Sequence, residues 1–106
     1  MRSSTLILST FFVAEVAMAD TFESMEMATN LGSVIASEEF CSLTFDQDAI
    51  ELWIDEKVDP EDMSFPSTLN MMVIGSEFQY KEMSKSAKTA HCRSIKRIAK
   101  QYGFIE

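Results

Sequence analysis

The chain has 106 residues, enough for one domain, and its 46% apolar and 25% charged residues exclude a compositionally disordered protein. The formal net charge of −8 at neutral pH disfavours a nucleic-acid-binding function. Only three Gly and two Pro occur, and the long stretches that lack both residues favour helices over a sheet with many turns.

Residues 1–19 have the pattern of a secretory signal peptide. A single basic residue precedes an apolar stretch at 6–13, and Ala17-Met18-Ala19 forms an A-x-A cleavage site. The alternatives are a helical membrane anchor or a buried first helix. The apolar stretch is shorter than the ~20 residues that span a bilayer, and Glu15 interrupts it. We therefore predict cleavage, a mature chain of residues 20–106, and a periplasmic or secreted location.

Apolar residues of the mature chain recur at helical spacing in four segments. Asp59-Pro60 and Phe65-Pro66 interrupt this pattern and predict a connector at residues 59–66. The fold prediction is an all-α single domain with four main helices. They cover about residues 22–40, 45–58, 66–83 and 85–102.

Several helix ends carry their own signals. Thr44, with Gln47 three residues later, fits a capping box at the start of the second helix. Ser84 or Ser86 is the predicted N-cap of the fourth helix. Gly103 is its predicted C-cap, after which the chain can fold back onto the core.

Three further residues are expected to organise the packing. Gly32 and Gly75 lie inside predicted helices, where each costs up to ~1 kcal/mol relative to Ala, and they predict close approach of another helix. Gly75 alternatively marks a local bend. Trp53 is the only tryptophan, and we interpret it as a core anchor, with ligand stacking as the alternative.

Cys41 and Cys92 are the only cysteines, and in an exported chain they predict one disulfide. The bond would join the first helix to the last. The chain-entropy model assigns a loop of this length about 4 kcal/mol of stabilisation. Because Cys92 shares the apolar stripe of the fourth helix with Ile95 and Ala99, we expect a buried, structural bridge.

Charge is distributed unevenly along the chain. Residues 20–77 hold fourteen acids and one base, whereas residues 78–106 hold seven bases and two acids. One interpretation is that the acidic helices hold the basic last helix by surface attraction, at about 0–1 kcal/mol per pair. The other is a basic face for an acidic partner, with a protein favoured over an anionic membrane surface. This candidate binding face comprises Lys85, Lys88, Arg93, Lys96, Arg97 and Lys100.

The sequence offers no catalytic constellation. His91 is the only histidine and directly precedes Cys92, so their side chains diverge by about 100° on a helix. A disulfide-bonded Cys92 is not a nucleophile. The clustered carboxylates fall on solvated faces or in helix caps. We therefore predict a non-enzymatic protein without catalytic residues.

No metal site or cofactor is predicted. The acids of residues 59–62 lack the spacing and the glycine of an EF-hand loop. Met25-Glu26-Met27 suggests copper binding as an alternative, because thioethers suit Cu(I). Methionine more commonly fills irregular cores, and residues two apart on a helix point in different directions.

The A-x-A signal, the single-disulfide helical layout and the stretch from Asp62 to Leu69 resemble small uncharacterised exported α-helical proteins of proteobacteria. This resemblance implies a periplasmic location and no specific activity. In size, helicity and single disulfide the chain is also similar to periplasmic acid-stress chaperones of the HdeA type. Our expectation is an exported protein that binds another macromolecule, an unidentified protein, with an acid-stress chaperone as the alternative.

Overall fold

A computed structural model of the protein describes residues 22–106. Within them the chain is all-α and contains no strand, as predicted. The predicted signal peptide, residues 1–19, lies outside the described residues. Among residues 22–106, no helix combines the length and the apolar character needed to cross a membrane. The helices are α1 at 22–40, α2 at Gln47–Lys57, α3 at Phe65–Tyr80 and α4 at Lys85–Tyr102.

Four helices and the loops beside them contribute to one apolar core. Phe104 and Leu31 are its largest fully buried side chains, and burial of each such side chain is worth about 1.5–3 kcal/mol. Trp53 lies at the margin instead, half-buried, with its ring 5.5 Å from that of Tyr102. The buried members of the core are Ala28, Leu31, Val34, Phe45, Ile50, Phe65, Ile95, Ala99 and Phe104.

The predicted ends of α4 are confirmed. Ser84 is the N-cap, and its hydroxyl accepts a hydrogen bond from the Ala87 N–H at 3.2 Å. Gly103 has φ +81°, the Phe104 N–H donates to the Ala99 carbonyl at 2.9 Å, and the Gly103 N–H donates to the Lys100 carbonyl at 3.1 Å. These bonds define a Schellman motif, which reverses the chain direction. The reversal directs Phe104 into the core.

The same motif ends α1, but without a glycine. The Leu43 N–H donates to the Glu38 carbonyl at 2.8 Å, and the Ser42 N–H donates to Glu39 at 3.1 Å. Ser42 occupies the left-handed region with φ +54°. This conformation costs a residue with a β-carbon about 1–2 kcal/mol. The segment after the turn leads to Phe45, whose ring centroid lies 5.9 Å from that of Phe104.

The start of α2 differs from the capping-box prediction. Asp46, not Thr44, is the N-cap, and its carboxylate accepts from the Asp48 N–H at 3.0 Å. Phe45 is buried, and the Asp46 N–H donates to the Phe104 carbonyl at 2.8 Å. Burial of Phe45 therefore holds this segment extended, so that the helix begins two residues later than the sequence signal suggests.

The two helical glycines have different surroundings. A β-carbon on Gly32 would lie 2.8 Å from the Met72 Cβ and 3.3 Å from the Val73 backbone nitrogen, so α3 packs directly against α1 there. This confirms the predicted close approach. A β-carbon on Gly75 would meet nothing within 4 Å. The prediction of close packing at Gly75 is therefore wrong within residues 22–106.

The Cys41–Cys92 disulfide is present, with 5.4 Å between the two Cα atoms, and it joins the end of α1 to the middle of α4. Both cysteines are half-buried, which corrects the expectation of a buried bridge. The reason is positional. Ile95 and Ala99 occupy the centre of the contact between α1 and α4, which leaves the bridge at its edge.

Candidate binding surfaces

The predicted basic face lies on α4, which contains no acidic residue. At about 100° per residue, five of its six basic side chains fall within an arc of about 120° that faces away from the core. Lys88 falls about 60° outside that arc, toward α1. All six are exposed: Lys85, Lys88, Arg93, Lys96, Arg97 and Lys100.

Lys88 instead contacts the end of α1. Its Nζ lies 4.6 Å from the centroid of the Phe40 ring, within the range of a cation–π interaction. The Phe40 ring in turn stacks on Tyr80 with centroids 5.2 Å apart. Lys88 therefore helps hold α4 against α1. The face available to a partner comprises the other five basic side chains, and we call these five the basic arc.

A polar network that the sequence did not reveal links α1, α3 and α4. The Tyr80 hydroxyl lies 2.8 Å from the Ser33 Oγ and donates to the Ser33 carbonyl at 3.0 Å. The Ser37 hydroxyl is fully buried and donates to the same carbonyl at 2.7 Å. It also lies 2.8 Å from the His91 Nε2. The available signal was the spacing of Ser33 and Ser37, one helical turn apart on the apolar side of α1.

The chemistry of this network is structural. His91 packs against the Tyr80 ring at 4.5 Å and the Phe40 ring at 6.1 Å. Burial lowers the pKa of His91 below its ordinary value of 6.5. Neither an acid nor a free thiol stands among these partners, since both cysteines are in the disulfide. Because the Ser37 hydroxyl is fully buried and donates to a backbone carbonyl, its contact with His91 holds α4 against α1.

An open groove of about 440 Å³ lies between the start of α1 and the connector before α3. Asp62 lines this groove, and its carboxylate accepts hydrogen bonds from the Ser24 hydroxyl and from the Ser64 hydroxyl, the latter at 2.7 Å. These hydrogen bonds lower the pKa of Asp62 below its ordinary value of 3.8, and the bond from Ser24 has the largest effect. Glu23 and Asp59 also line the groove. Within residues 22–106, no three His, Cys, Asp or Glu side chains are grouped to hold a metal ion.

The methionine pair considered for copper lies at the start of α1, where both side chains line the groove. Met25 is 48% exposed, whereas Met27 packs against the core. Copper binding by this pair stays a prediction.

The outer side of α3 exposes an apolar stripe that the sequence reading missed. Met71, Ile74 and Phe78 are 69%, 55% and 70% exposed and lie at spacings of three and four residues. Leu69, Val73 and Tyr80 of the same helix are covered. Apolar residues are not confined to one side of residues 65–80, so periodicity alone does not separate this helix into faces.

Comparisons of the chain with protein-family models, with curated proteins and with solved structures return no significant match.

Proposed function

We propose that the protein is an exported, non-enzymatic binding protein that uses the basic arc of α4 to dock an acidic surface on another protein. The observation that carries the proposal is the exposure of all five basic side chains on one side of a helix that contains no acid. The helix is also held firmly. The disulfide, the Ser37–His91 hydrogen bond and the core contact of Ile95 fix α4 to α1.

The net charge of the whole chain favours some classes of acidic partner over others. The whole chain carries −8, so an extended polyanion or a strongly anionic membrane is repelled at long range. At physiological ionic strength, the Debye length is about 8 Å, so the basic arc acts mainly on groups that already lie close to it. A discrete acidic patch on a protein fits this range better than an extended anionic surface does.

Export is supported by the disulfide, because such bonds persist in oxidising compartments. We expect the mature protein to begin at Asp20. N-terminal sequencing of the protein recovered from a periplasmic or culture-medium fraction tests this directly. Recovery with residues 1–19 attached would contradict cleavage.

The docking surface is tested by a double charge reversal, Lys96→Glu with Lys100→Glu. Co-purification from a periplasmic extract should lose its main partner, because the arc changes sign. The matched control is Lys57→Glu with Lys81→Glu, which changes the net charge equally at two exposed lysines outside α4. We expect the control to retain the partner. Equal retention by both variants would exclude the basic arc as the contact surface.

An acid-stress chaperone of the HdeA type is the second candidate. It is favoured by the direction of the two pKa shifts, since the lowered pKa values of His91 and Asp62 both make the folded state less stable in acid. Loosening of the folded state in acid would expose more apolar and methionine side chains. Met63 is already 86% exposed. Assays of client aggregation at pH 2–4 decide this candidate. Absence of protection in that range rules it out.

A further inference from the structure

We propose that the exposed stripe of α3 binds a second copy of the same chain, forming a two-fold dimer with antiparallel α3 helices. Met71, Ile74 and Phe78 are each more than half exposed, and Gly75 lies beside them on the same side of the helix. A contiguous apolar patch on the order of a few hundred Å² is typical of an interaction surface.

Gly75 is the observation that points to a helix as the occupant. A glycine inside a helix costs about 1 kcal/mol relative to Ala. At Gly32 the absence of a side chain allows close helix packing, because Met72 occupies the space that a β-carbon would need. At Gly75 no atom of residues 22–106 occupies the corresponding space. The missing side chain therefore leaves a hollow in the exposed stripe, where another helix can approach closely.

The order of residues in the stripe makes it complementary to itself. Reversal about the midpoint between Ile74 and Gly75 exchanges those two positions and exchanges Met71 with Phe78. In an antiparallel pair, Ile74 therefore lies over the partner's Gly75, and Phe78 lies against the partner's Met71. A large side chain meets a hollow, and two long apolar side chains meet each other. This self-complementarity is what an isologous two-fold interface requires.

Charge is compatible with the same arrangement. The reversal sets Lys81 opposite the partner's Thr68 and Glu82 opposite the partner's Ser67, so no like charges face each other. Glu82 also lies near the amino-terminal end of the partner's α3, where a negative charge is favoured by the helix dipole. The Lys81 Nζ already lies 5.5 Å from the Phe78 ring centroid, at the rim of the patch.

The size of the patch sets the expected strength. Stable interfaces bury about 800 Å² and about 20–30 residues on each partner, whereas this stripe comprises Met71, Ile74, Gly75 and Phe78. We expect a weak, reversible dimer with a dissociation constant on the order of 0.1 mM. The dimer is independent of the proposed docking by α4, and Lys96→Glu with Lys100→Glu should leave it unchanged.

Sedimentation velocity and NMR diffusion on the oxidised, host-processed protein, from 10 µM to 1 mM, test the dimer. Ile74→Lys should raise the dissociation constant at least tenfold. Leu52→Lys is the matched control, because Leu52 is 58% exposed on α2 and receives the same charge, and its dissociation constant should stay within twofold of the wild type. A wild-type chain that stays monomeric to 1 mM, or equal weakening by both variants, would overturn the proposal and assign the stripe to another occupant.

The Gly75→Ala variant distinguishes an effect on dimer formation from an effect on the stability of the monomer. The added methyl has open space in the monomer, so the melting temperature at low concentration should rise by a few degrees. In the dimer, the same methyl fills the hollow and should weaken association several-fold. A dissociation constant that stays the same or falls would contradict the antiparallel arrangement.

Discussion

The hydroxyl of Ser37 and the Nε2 of His91 lie 2.8 Å apart across the contact between α1 and α4. The Ser37 hydroxyl donates its single hydrogen to the Ser33 carbonyl, so its oxygen accepts from the histidine. The neutral His91 ring therefore carries its proton on Nε2. The fully buried Ser37 hydroxyl therefore makes both of its hydrogen bonds only when His91, on another helix, is in this tautomer.

Titration of His91 should give a pKa below 6.5, because burial disfavours the charged ring. Its contribution to the free energy of unfolding is fully present above pH 6.5. The contribution declines as the pH falls from 6.5 to the lowered pKa, since the unfolded chain binds the proton first. NMR of the untagged protein gives one unambiguous histidine signal, because the chain has a single histidine. Stability that stays constant between pH 7 and pH 5, or rises, would contradict this linkage.

Ser37→Ala should cost about 1–3 kcal/mol of unfolding free energy, because it leaves the His91 N–H without its acceptor in a partly buried place. The matched control is Thr29→Ala. Thr29 makes the same type of hydrogen bond to the carbonyl four residues earlier, at 2.8 Å, but in an exposed position. The control should change stability by no more than about 0.5 kcal/mol. Urea unfolding of the two variants checks the difference.

The two helical glycines should respond oppositely to alanine. Gly32→Ala places a methyl 2.8 Å from the Met72 Cβ and should destabilise the fold by about 1–3 kcal/mol, despite its better helix propensity. Gly75→Ala should stabilise the monomer by up to about 1 kcal/mol. Thermal unfolding at low protein concentration compares them. A stabilised Gly32→Ala variant would mean that α3 does not approach α1 as closely as described.

The two Schellman motifs provide a second pair of opposite effects. Gly103→Ala should cost about 1–2 kcal/mol, because φ is +81° at that position. Ser42→Gly removes the same penalty at φ +54° and should be stabilising, by a smaller amount because glycine also makes the unfolded chain more flexible. Denaturant midpoints measure both changes. A destabilised Ser42→Gly variant would show that the Ser42 side chain has a role beyond its backbone conformation.

Loss of the Cys41–Cys92 disulfide should lower the unfolding free energy by about 4 kcal/mol in the chain-entropy model. For a domain of this size, that corresponds to a fall in melting temperature of about 15–30 °C. Thermal unfolding with and without reductant measures it. The double variant Cys41→Ala with Cys92→Ala is the control and should not respond to reductant. Equal melting temperatures for the oxidised and reduced wild type would remove the bond's stabilising role.

The bounds of α4 could be predicted because both ends carry local signals. Ser84 has the right side chain for an N-cap, and Gly103 suits a left-handed C-terminal residue. The close approach at Gly32 followed from the same kind of reasoning. The pairing of the two cysteines followed from their number. Each of these predictions depends on one residue and its immediate neighbours.

Other features depend on tertiary packing that local signals do not report. Thr44 and Asp46 are both acceptable N-caps, and only the burial of Phe45 and the bond to the Phe104 carbonyl decide between them. The exposed stripe of α3 was not predicted because the apolar residues of 65–80 are not confined to one side of the helix. The half-buried disulfide likewise depends on which side chains occupy the centre of the contact. Periodicity identifies a helix, but it does not identify what covers each face.

The contacts between α1 and α4 join segments that are far apart in the sequence, which affects the order in which they can form during synthesis. Cys41 and Cys92 are 51 positions apart in the sequence, and the buried residues of α1 pack against Ile95, Ala99 and Phe104, which come still later in the chain. A chain that crosses a membrane amino end first therefore presents the apolar side of α1 uncovered until α4 has emerged. Such long-range contacts close slowly. On export as proposed above, the disulfide and the core contacts of α1 therefore form only after α4 has crossed the membrane.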